Sequence, residues 1–336
     1  MPAPLVVAAP DKFRGTATAS EIAAAVARAA RPAGWEVIEI PMADGGEGTL
    51  EALGGANRST TVSGPLGDAV DAEWRLSRGI AVIEMARASG LALLGGAEGN
   101  DPVAASTYGT GELIAAALDA GAKRIIVGVG GSATTDGGLG ALRALYPLQR
   151  LRGVDLVVAC DVSTGFLDAA EVFSAQKGAS PAQVELLRRR LERLAQVYLD
   201  EYGVDVVALE GAGAAGGLAG GLAVLGAELV TGFELIAEER GLYESMEGAD
   251  LVITGEGFLD EQSFSGKVVG GVISYAADLA VPVFVVAGEV YGDAGSGLDL
   301  VSLVAEFGEE EAMTQTVSCV ESVVTRRLAL TWRYRR

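Results

Sequence analysis

The chain has 336 residues, half of them apolar and 21% charged, which is typical of a soluble globular protein of about two domains. Its formal net charge of −20 and its lack of a basic stripe exclude a nucleic-acid-binding protein or one that binds anionic membranes. Because the chain has no histidine, Ser-His-Asp and Cys-His nucleophiles and histidine-based zinc sites are excluded as well.

The N-terminal half predicts strands that alternate with helices and end in glycine-rich loops. In chain order, its predicted elements are a strand over Leu5–Ala9, a helix from the capping box Thr18-Ala-Ser-Glu21 to about Ala30, a strand over Trp35–Met42, a hairpin over Asp68–Met85 that turns at Arg78-Gly79, a helix over Gly109–Ala120, and strands over Arg124–Val127 and Val154–Ala159.

The C-terminal half continues this alternation. Ser180 is a predicted N-cap with proline at the first helical position and glutamine at the third, and apolar residues then recur at helical spacing to Tyr198. Strands are predicted over Asp250–Thr254, Val281–Ala287 and Leu298–Val304. Strand–helix alternation indicates an α/β protein with parallel sheets, whose ligands lie near the carboxyl ends of the strands.

Four loops share a composition of glycine, acidic residues and small hydroxyl residues. They are Asp44–Thr49, Gly130–Gly138, Gly211–Gly217 and Thr254–Asp260. Glycine lets backbone amides face an anion, whereas nearby carboxylates would repel a phosphate unless Mg²⁺ lay between them. The loops therefore favour a nucleotide-dependent phosphotransferase, and the alternative is that glycine and aspartate form only turns and helix caps.

Lysine is rare in this chain, and three of the four lysines lie in such surroundings: Lys12, Lys177 and Lys267. A chain that prefers arginine could keep lysine where a compact ammonium meets a phosphate, although chance explains so few residues equally well. Lys267 is followed by valine, so it is not part of a Walker A motif. Gly128–Ala133 fits the dinucleotide fingerprint only weakly, because Asp155 begins the next strand instead of ending it.

Taken together, the motifs resemble the bacterial-type glycerate kinase family, which includes the glycerate 2-kinases. The resemblance rests on segments that occur in order along the chain: Ala9–Gly15, Pro41–Thr49, Glu84–Ala86 with Ala88–Leu91, Thr107–Leu113, Gly130–Gly138, Ala159–Val162, Gln176–Ala179, Gly211–Gly217, and Thr254–Asp260 with Gly266-Lys267.

This resemblance implies an α/β fold with two lobes and a site in the cleft between them. One lobe is a Rossmann-like, doubly wound parallel sheet built from both chain ends, and the other is a mixed α/β lobe inserted between them. The composition of the loops Ser63–Gly67 and Glu247–Ala249 predicts the boundaries, which gives residues 1–62 and 250–336 for the first lobe and residues 63–249 for the second. The family activity is ATP-dependent phosphorylation of D-glycerate with Mg²⁺, and 2-phosphoglycerate is the favoured product. We expect a cytoplasmic enzyme with D-glycerate and ATP as its partners and with no nucleic-acid or membrane partner, and we leave a homodimer open.

The candidate site residues fall into three groups by role. The catalytic candidates are Asp44, Asp136 and Lys267, with either Asp44 or Asp136 as the base; the substrate- or phosphate-binding candidates are Asp11, Lys12, Arg14, Glu47, Ser132, Lys177, Gly213 and Gly216; and the candidate metal ligands are Asp161, Glu256 and Asp260. Lys267 or Lys177 is expected at the phosphates. The acids each follow a predicted strand, although capping or turn formation explains any single one of them as well.

Two positions depart from the family pattern and keep other functions open. Thr135 stands where the family usually has asparagine, and Phe258 where it usually has arginine. A non-catalytic protein that binds a small anion or nucleotide on the same scaffold is therefore the main alternative. A dehydrogenase is a more distant one.

Overall fold

The computed structural model describes residues 3–13, 15–264 and 266–333. The chain forms two compact units, one made of Met1–Asp44 and Phe233–Arg336 and the other of Gly45–Gly232. Both crossings between the units lie earlier in the chain than the boundaries we predicted from loop composition. No helix in the described ranges combines the length and the apolar character that a membrane span requires.

Strands lie in both units. In chain order they are β1 (Leu5–Ala8), β2 (Glu36–Glu39), β3 (Arg58–Ser63), β4 (Ala69–Ser77), β5 (Ile80–Glu84), β6 (Arg124–Gly128), β7 (Asp155–Ala159), β8 (Glu228–Val230), β9 (Leu251–Leu259), β10 (Val283–Val290) and β11 (Leu300–Ser302).

The α-helices vary from one turn to six. They are α1 (Ala19–Ala30), α2 (Thr49–Ala52), α3 (Ala86–Ser89), α4 (Tyr108–Asp119), α5 (Leu139–Leu145), α6 (Ala169–Phe173), α7 (Pro181–Tyr202), α8 (Ala214–Val224), α9 (Gly232–Arg240), α10 (Leu242–Met246), α11 (Val268–Asp278), α12 (Leu303–Phe307), α13 (Glu309–Thr314) and α14 (Thr316–Arg333). Short 3-10 helices cover Arg31–Ala33, Leu91–Leu94, Ala97–Gly99, Leu148–Leu151, Ala175–Lys177 and Glu261–Phe264.

The first unit is a parallel sheet with helices on both faces. Its strands follow the order β11-β10-β9-β1-β2, so the three C-terminal strands form one side of the sheet and the two N-terminal strands the other, and β9 pairs with β1 where they meet. One face packs against α1 and α14, through residues such as Val26 and Val324, and the other packs against α11 through Val269. This confirms the predicted doubly wound sheet.

The second unit is a mixed sheet in the order β3-β4-β5-β6-β7-β8. Strands β3 to β5 are antiparallel, whereas β5 to β8 are parallel. Apolar residues of α4, α5 and α8 cover the sheet, and the buried face of α7 forms a further core around Phe166. The predicted hairpin is present, and both Arg78 and Gly79 take positive φ at its turn.

Local sequence signals located several helix ends correctly. At α1, the Thr18 hydroxyl accepts from the Glu21 amide at 3.2 Å, and the Glu21 carboxylate accepts from the Thr18 amide at 2.9 Å. Ser180 and Gln183 form the same reciprocal pair at α7. These contacts satisfy amides that the first helical turn would leave without partners.

The prediction of a glycine loop over Thr254–Asp260 was wrong. Strand β9 continues to Leu259, and Glu256 and Phe258 pair in register with Ala287 and Glu289 of β10. A Cβ at Gly255 would lie 1.9 Å from the Val286 carbonyl oxygen. Glycine here allows two strands to approach closely, so it does not mark a turn.

Two other elements differ from expectation. Strand β3, which the sequence patterns do not predict, pairs with β4 over its whole length. The glycine segment at the start of α8 takes left-handed backbone angles, with φ of 53°, 68° and 88° at Ala215, Gly216 and Gly217. The regular helix that follows packs tightly, because Cβ atoms at Gly220 and Gly221 would meet Phe166 and Gly137.

We expect Gly216→Ala to destabilise the protein much more than Gly226→Ala. Both glycines have positive φ, but a Cβ at Gly216 would lie 2.0 Å from the Thr134 carbonyl oxygen, whereas Gly226 has open space. Backbone strain alone costs about 1 kcal/mol, and the clash should add roughly 2 kcal/mol or more. Urea unfolding of both variants measures the difference, and equal losses would contradict the close approach.

Candidate functional site

In the first unit, charged residues gather where β1 and β2 end. Asp11 and Lys12 follow β1, and the Asp11 amide donates to the Gly255 carbonyl of β9 at 2.8 Å. Asp44 lies beyond β2. The Lys12 ammonium lies 3.8 Å from a carboxylate oxygen of Asp11 and 3.8 Å from one of Asp44, so it links the two acids.

Asp11 is the most deeply buried acid of this group, at 7% exposure. Burial raises the pKa of its carboxyl to about 7, although Lys12 opposes the shift; the charges of Asp44 and Glu256 add to it. A carboxyl group with this pKa gains and loses a proton near neutrality, which an ordinary aspartate does not.

Glu256 extends the group from the neighbouring strand. Burial raises the pKa of its carboxyl, with Ser263 and Lys267 opposing the shift and Asp260 and Asp44 supporting it. Its Oε1 atom is buried and accepts no hydrogen bond from any residue that the structure describes. A buried oxygen without a donor is costly, so this atom suits a ligand or a cation.

Asp260 and Lys267 border Glu256 but have different surroundings. The Asp260 carboxylate accepts from the amides of Gln262 and Ser263, at 2.8 and 3.1 Å, and thereby caps the 3-10 helix that follows. Lys267 is half-buried at the N-cap of α11. A lysine combined with the amides of a helix N-terminus favours an anion.

In the second unit, Asp136 is held by many donors. One oxygen accepts from the amides of Thr107 and Gly140, at 2.9 and 3.1 Å, and the other accepts from the Gly138 amide at 3.1 Å. The hydroxyls of Thr107 and Ser106 complete the set. These bonds fix the turn into α5, which is the capping role that the sequence left open for this acid.

Lys177 is buried at 3% exposure and is held in a cradle of oxygen atoms. Its ammonium donates to the Ser132 hydroxyl and to the Thr134 carbonyl, both at 2.7 Å. Burial lowers its pKa to about 7, and the Asp136 charge opposes the shift. Lys177 and Ser132 both line a cavity of about 370 Å³, together with Gly130 and Gly131 of the predicted phosphate loop.

The other predicted residues vary in position. Gly213 and Gly216 lie where α8 begins, and a Cβ at either would meet backbone atoms, so both serve close packing. Glu47 is exposed, and Asp161 follows β7 in the second unit. Arg14 lies outside the described residues. The structure thus brings Asp11, Lys12 and Asp44 together in the first unit, and Ser132 and Lys177 in the second.

Sequence reasoning did not identify Glu84 as a structural anchor. This residue is 3% exposed, and its Oε1 accepts from the amides of Gly48 and Leu50, at 2.9 and 3.0 Å. It therefore holds the glycine loop and the start of α2. An acid that ends a buried apolar strand was the available signal, because burial of such a charge requires donors.

The described residues contain no group of three or more acids or cysteines placed to hold a metal ion. Of the predicted ligands, Glu256 and Asp260 belong to the first unit and Asp161 to the second. Mg²⁺ is commonly held by one or two carboxylates together with substrate phosphates, so a preformed cage is not required.

Comparisons with known proteins agree with this architecture. The model of the glycerate kinase family matches residues 6–146 and 147–331. A glycerate kinase of Halalkalibacterium halodurans is 41% identical over 94% of this chain and 95% of its own, and a glycerate 2-kinase of Escherichia coli is 40% identical over 90% and 91%. A crystal structure from Salmonella typhimurium LT2, provisionally assigned as a glycerate kinase 2, superposes with a TM-score of 0.86 at 35% identity, covering 99% of both chains.

These matches first establish the class of protein, which is a kinase with two α/β units. The chain belongs to the glycerate kinase family. The resemblance inferred from the sequence motifs is thereby confirmed.

The burial of Asp11 predicts a pH-dependent effect of Asp11→Asn on stability. The folded chain holds the Asp11 proton more tightly than the unfolded chain, so this contribution to stability is full below the ordinary carboxyl pKa and is lost as pH rises through about 7. The variant cannot ionise. Its free energy of unfolding, relative to wild type, should rise by about 1 kcal/mol or more between about pH 5 and about pH 8.

Urea unfolding at both pH values measures this change. Asp293→Asn, at an exposed position of the same unit, is the matched control and should show no such dependence. If wild type and Asp11→Asn differ by the same amount at both pH values, the Asp11 pKa is not raised.

Proposed function

We propose that this protein transfers the terminal phosphoryl group of ATP to D-glycerate and forms 2-phosphoglycerate. Family membership supports glycerate as the acceptor, and the name of the related Escherichia coli enzyme supports the 2-hydroxyl. Both cysteines are free, as expected in a reducing compartment, and we place the reaction in the cytoplasm.

The group formed by Asp11, Lys12, Asp44 and Glu256 is the observation that carries this proposal. Phosphoryl transfer needs an oriented acceptor and neutralised charge more than it needs a covalent intermediate. In a chain with a net charge of −20, an anionic acceptor requires a local cation, and Lys12 supplies one at the end of β1. The acids beside it can take the proton of the acceptor hydroxyl.

We assign the base to Asp44 in preference to Asp136. Both oxygens of Asp136 already accept from backbone amides, so few lone pairs remain for a substrate proton. Asp44 lies beside Lys12 and Asp11, and its side chain is 29% exposed, so a substrate can reach it. Asp11, with a pKa of about 7, sets the local charge that Asp44 experiences.

Glu256 fits a Mg²⁺ ion that accompanies the nucleotide. Its buried Oε1 has no donor among the described residues, and a carboxylate oxygen is the kind of hard ligand that Mg²⁺ prefers. Mg²⁺ bound there would neutralise charge on the transferred phosphoryl group. Asp260 instead orients the turn after β9, and Lys267 offers a second positive charge close to Glu256.

In the second unit, we assign the cavity around Lys177 to phosphate binding. Gly130 and Gly131 allow close approach of the backbone, and the Ser132 hydroxyl and the Lys177 ammonium face each other at 2.7 Å. Because burial lowers the pKa of Lys177 to about 7, a nearby phosphate would restore its full positive charge.

The proposal predicts that the protein phosphorylates D-glycerate in the presence of ATP and Mg²⁺. Phosphorus NMR of the product measures this activity and shows which hydroxyl carries the phosphate. Glu256→Gln keeps the shape of the side chain and removes its charge, so kcat/KM should fall by about a hundredfold or more. Glu261→Gln, at an exposed position of the 3-10 helix that follows β9, is the control and should stay within about twofold of wild type.

Two results would contradict the proposal. If the wild type binds nucleotide but consumes no ATP with D-glycerate, the protein is a non-catalytic binder. If Glu256→Gln folds normally and keeps the wild-type kcat/KM, the assignment of Glu256 is wrong even though the kinase reaction stands.

A further inference from the structure

The second unit contains a larger cavity that shares no lining residue with the one around Lys177. Its volume is about 650 Å³, and it lies among α7, the start of α5 and the segment near Val103. Pockets for small molecules commonly occupy a few hundred to about 1,000 Å³. None of the roles assigned above uses this space.

Four arginines line this cavity, and they make it locally positive in a chain whose net charge is −20. They belong to Arg143 of α5 and to Arg189, Arg190 and Arg193 of α7. Arg189 is paired with Glu185 at 2.7 Å, and Arg190 donates to the Val103 carbonyl at 2.8 Å. Neither Arg143 nor Arg193 forms an ion pair with a carboxylate of the described residues.

The acid among the lining residues does not cancel this positive charge by direct pairing. Asp136 directs its oxygens to the amides of Thr107, Gly138 and Gly140. Its carboxylate therefore receives its hydrogen bonds from these amides and from the hydroxyls of Thr107 and Ser106, and not from an arginine. The guanidinium groups of Arg143 and Arg193 remain available to an anion.

Apart from Thr135, the remainder of the lining is apolar. Leu139, Leu186, Leu194 and Val197 contribute side chains to the same cavity. A small inorganic anion would leave these side chains in contact with water. A ligand that also has a flat or apolar body would bury them and gain hydrophobic free energy.

We propose that this cavity binds a phosphomonoester with a ring-sized body, of the chemical class of a nucleoside monophosphate. The phosphate accepts hydrogen bonds from Arg143 and Arg193, since a guanidinium fork matches phosphate oxygens in a bidentate way. The ring packs against the leucines. The local group of arginines offsets the repulsion that a net charge of −20 exerts on anions.

Titration calorimetry of AMP with the intact protein tests whether binding requires the negative charge of the phosphate and the positive charge of the arginines. We expect AMP to bind at least about tenfold more tightly than uncharged adenosine and than inorganic phosphate. The double variant R143Q/R193Q should lose about tenfold or more of the AMP affinity, because two charge-assisted contacts are removed. R188Q is the matched control: Arg188 lies on the same helix but pairs with Glu185 and Glu192 outside the cavity, and AMP affinity should be unchanged.

Modification by phenylglyoxal, followed by peptide mass spectrometry, identifies where AMP binds. AMP should slow the reaction of Arg143 and Arg193 several-fold and leave Arg326, exposed on the other unit, unaffected. AMP binding without this protection means that the nucleotide occupies another site and overturns the proposal. If phosphate alone protects the two arginines equally well, the cavity is an unselective anion site. If protection grows with protein concentration in the absence of AMP, the surface is an interface between copies of the chain. Either result overturns the proposal.

Discussion

The pairing of β1 with β9 is the constraint on which the first unit depends. It joins segments that are distant in the sequence: the Thr254 hydroxyl donates to the Ala9 carbonyl and the Leu5 amide to the Asp250 carboxylate, each across 245 positions. Because the strands run parallel, their carboxyl ends reach the same edge of the sheet, and Asp11 and Glu256 become neighbours. A shift of register between these strands would separate them.

In the second unit, the constraint is the close packing of backbone against glycine. The backbone of Thr134 and Thr135 lies so close to Gly216 that no side chain fits between them. This approach fixes the carbonyl of Thr134, which receives the Lys177 ammonium. The position of the oxygen atoms around Lys177 therefore depends on a glycine that is not among the residues lining the cavity.

The sequence predicted features that depend on a few neighbouring residues. The capping boxes at Thr18 and Ser180 and the turn at Arg78 belong to this kind, since each is decided within about four positions. Features decided by distant partners were missed: β9 runs on past Thr254 because β10 pairs with it, and Gly255 looks like a turn residue until Val286 lies against it. Family resemblance supplied the two-unit architecture that local patterns could not.

The charge states of the candidate site residues also depend on distant partners, so the sequence alone does not predict them. Composition identified Asp136 and Lys177 as candidates. Only the fold shows that backbone amides bind the Asp136 carboxylate and that oxygen atoms surround the Lys177 ammonium. Burial then acts on opposite charges in the same direction, towards neutrality: it raises the pKa of Asp11 and lowers that of Lys177, each to about 7. Each group thus carries a weakened charge near neutral pH, and a ligand of the opposite sign would restore it. A residue count along the chain cannot show this weakening, because it depends on burial in the fold.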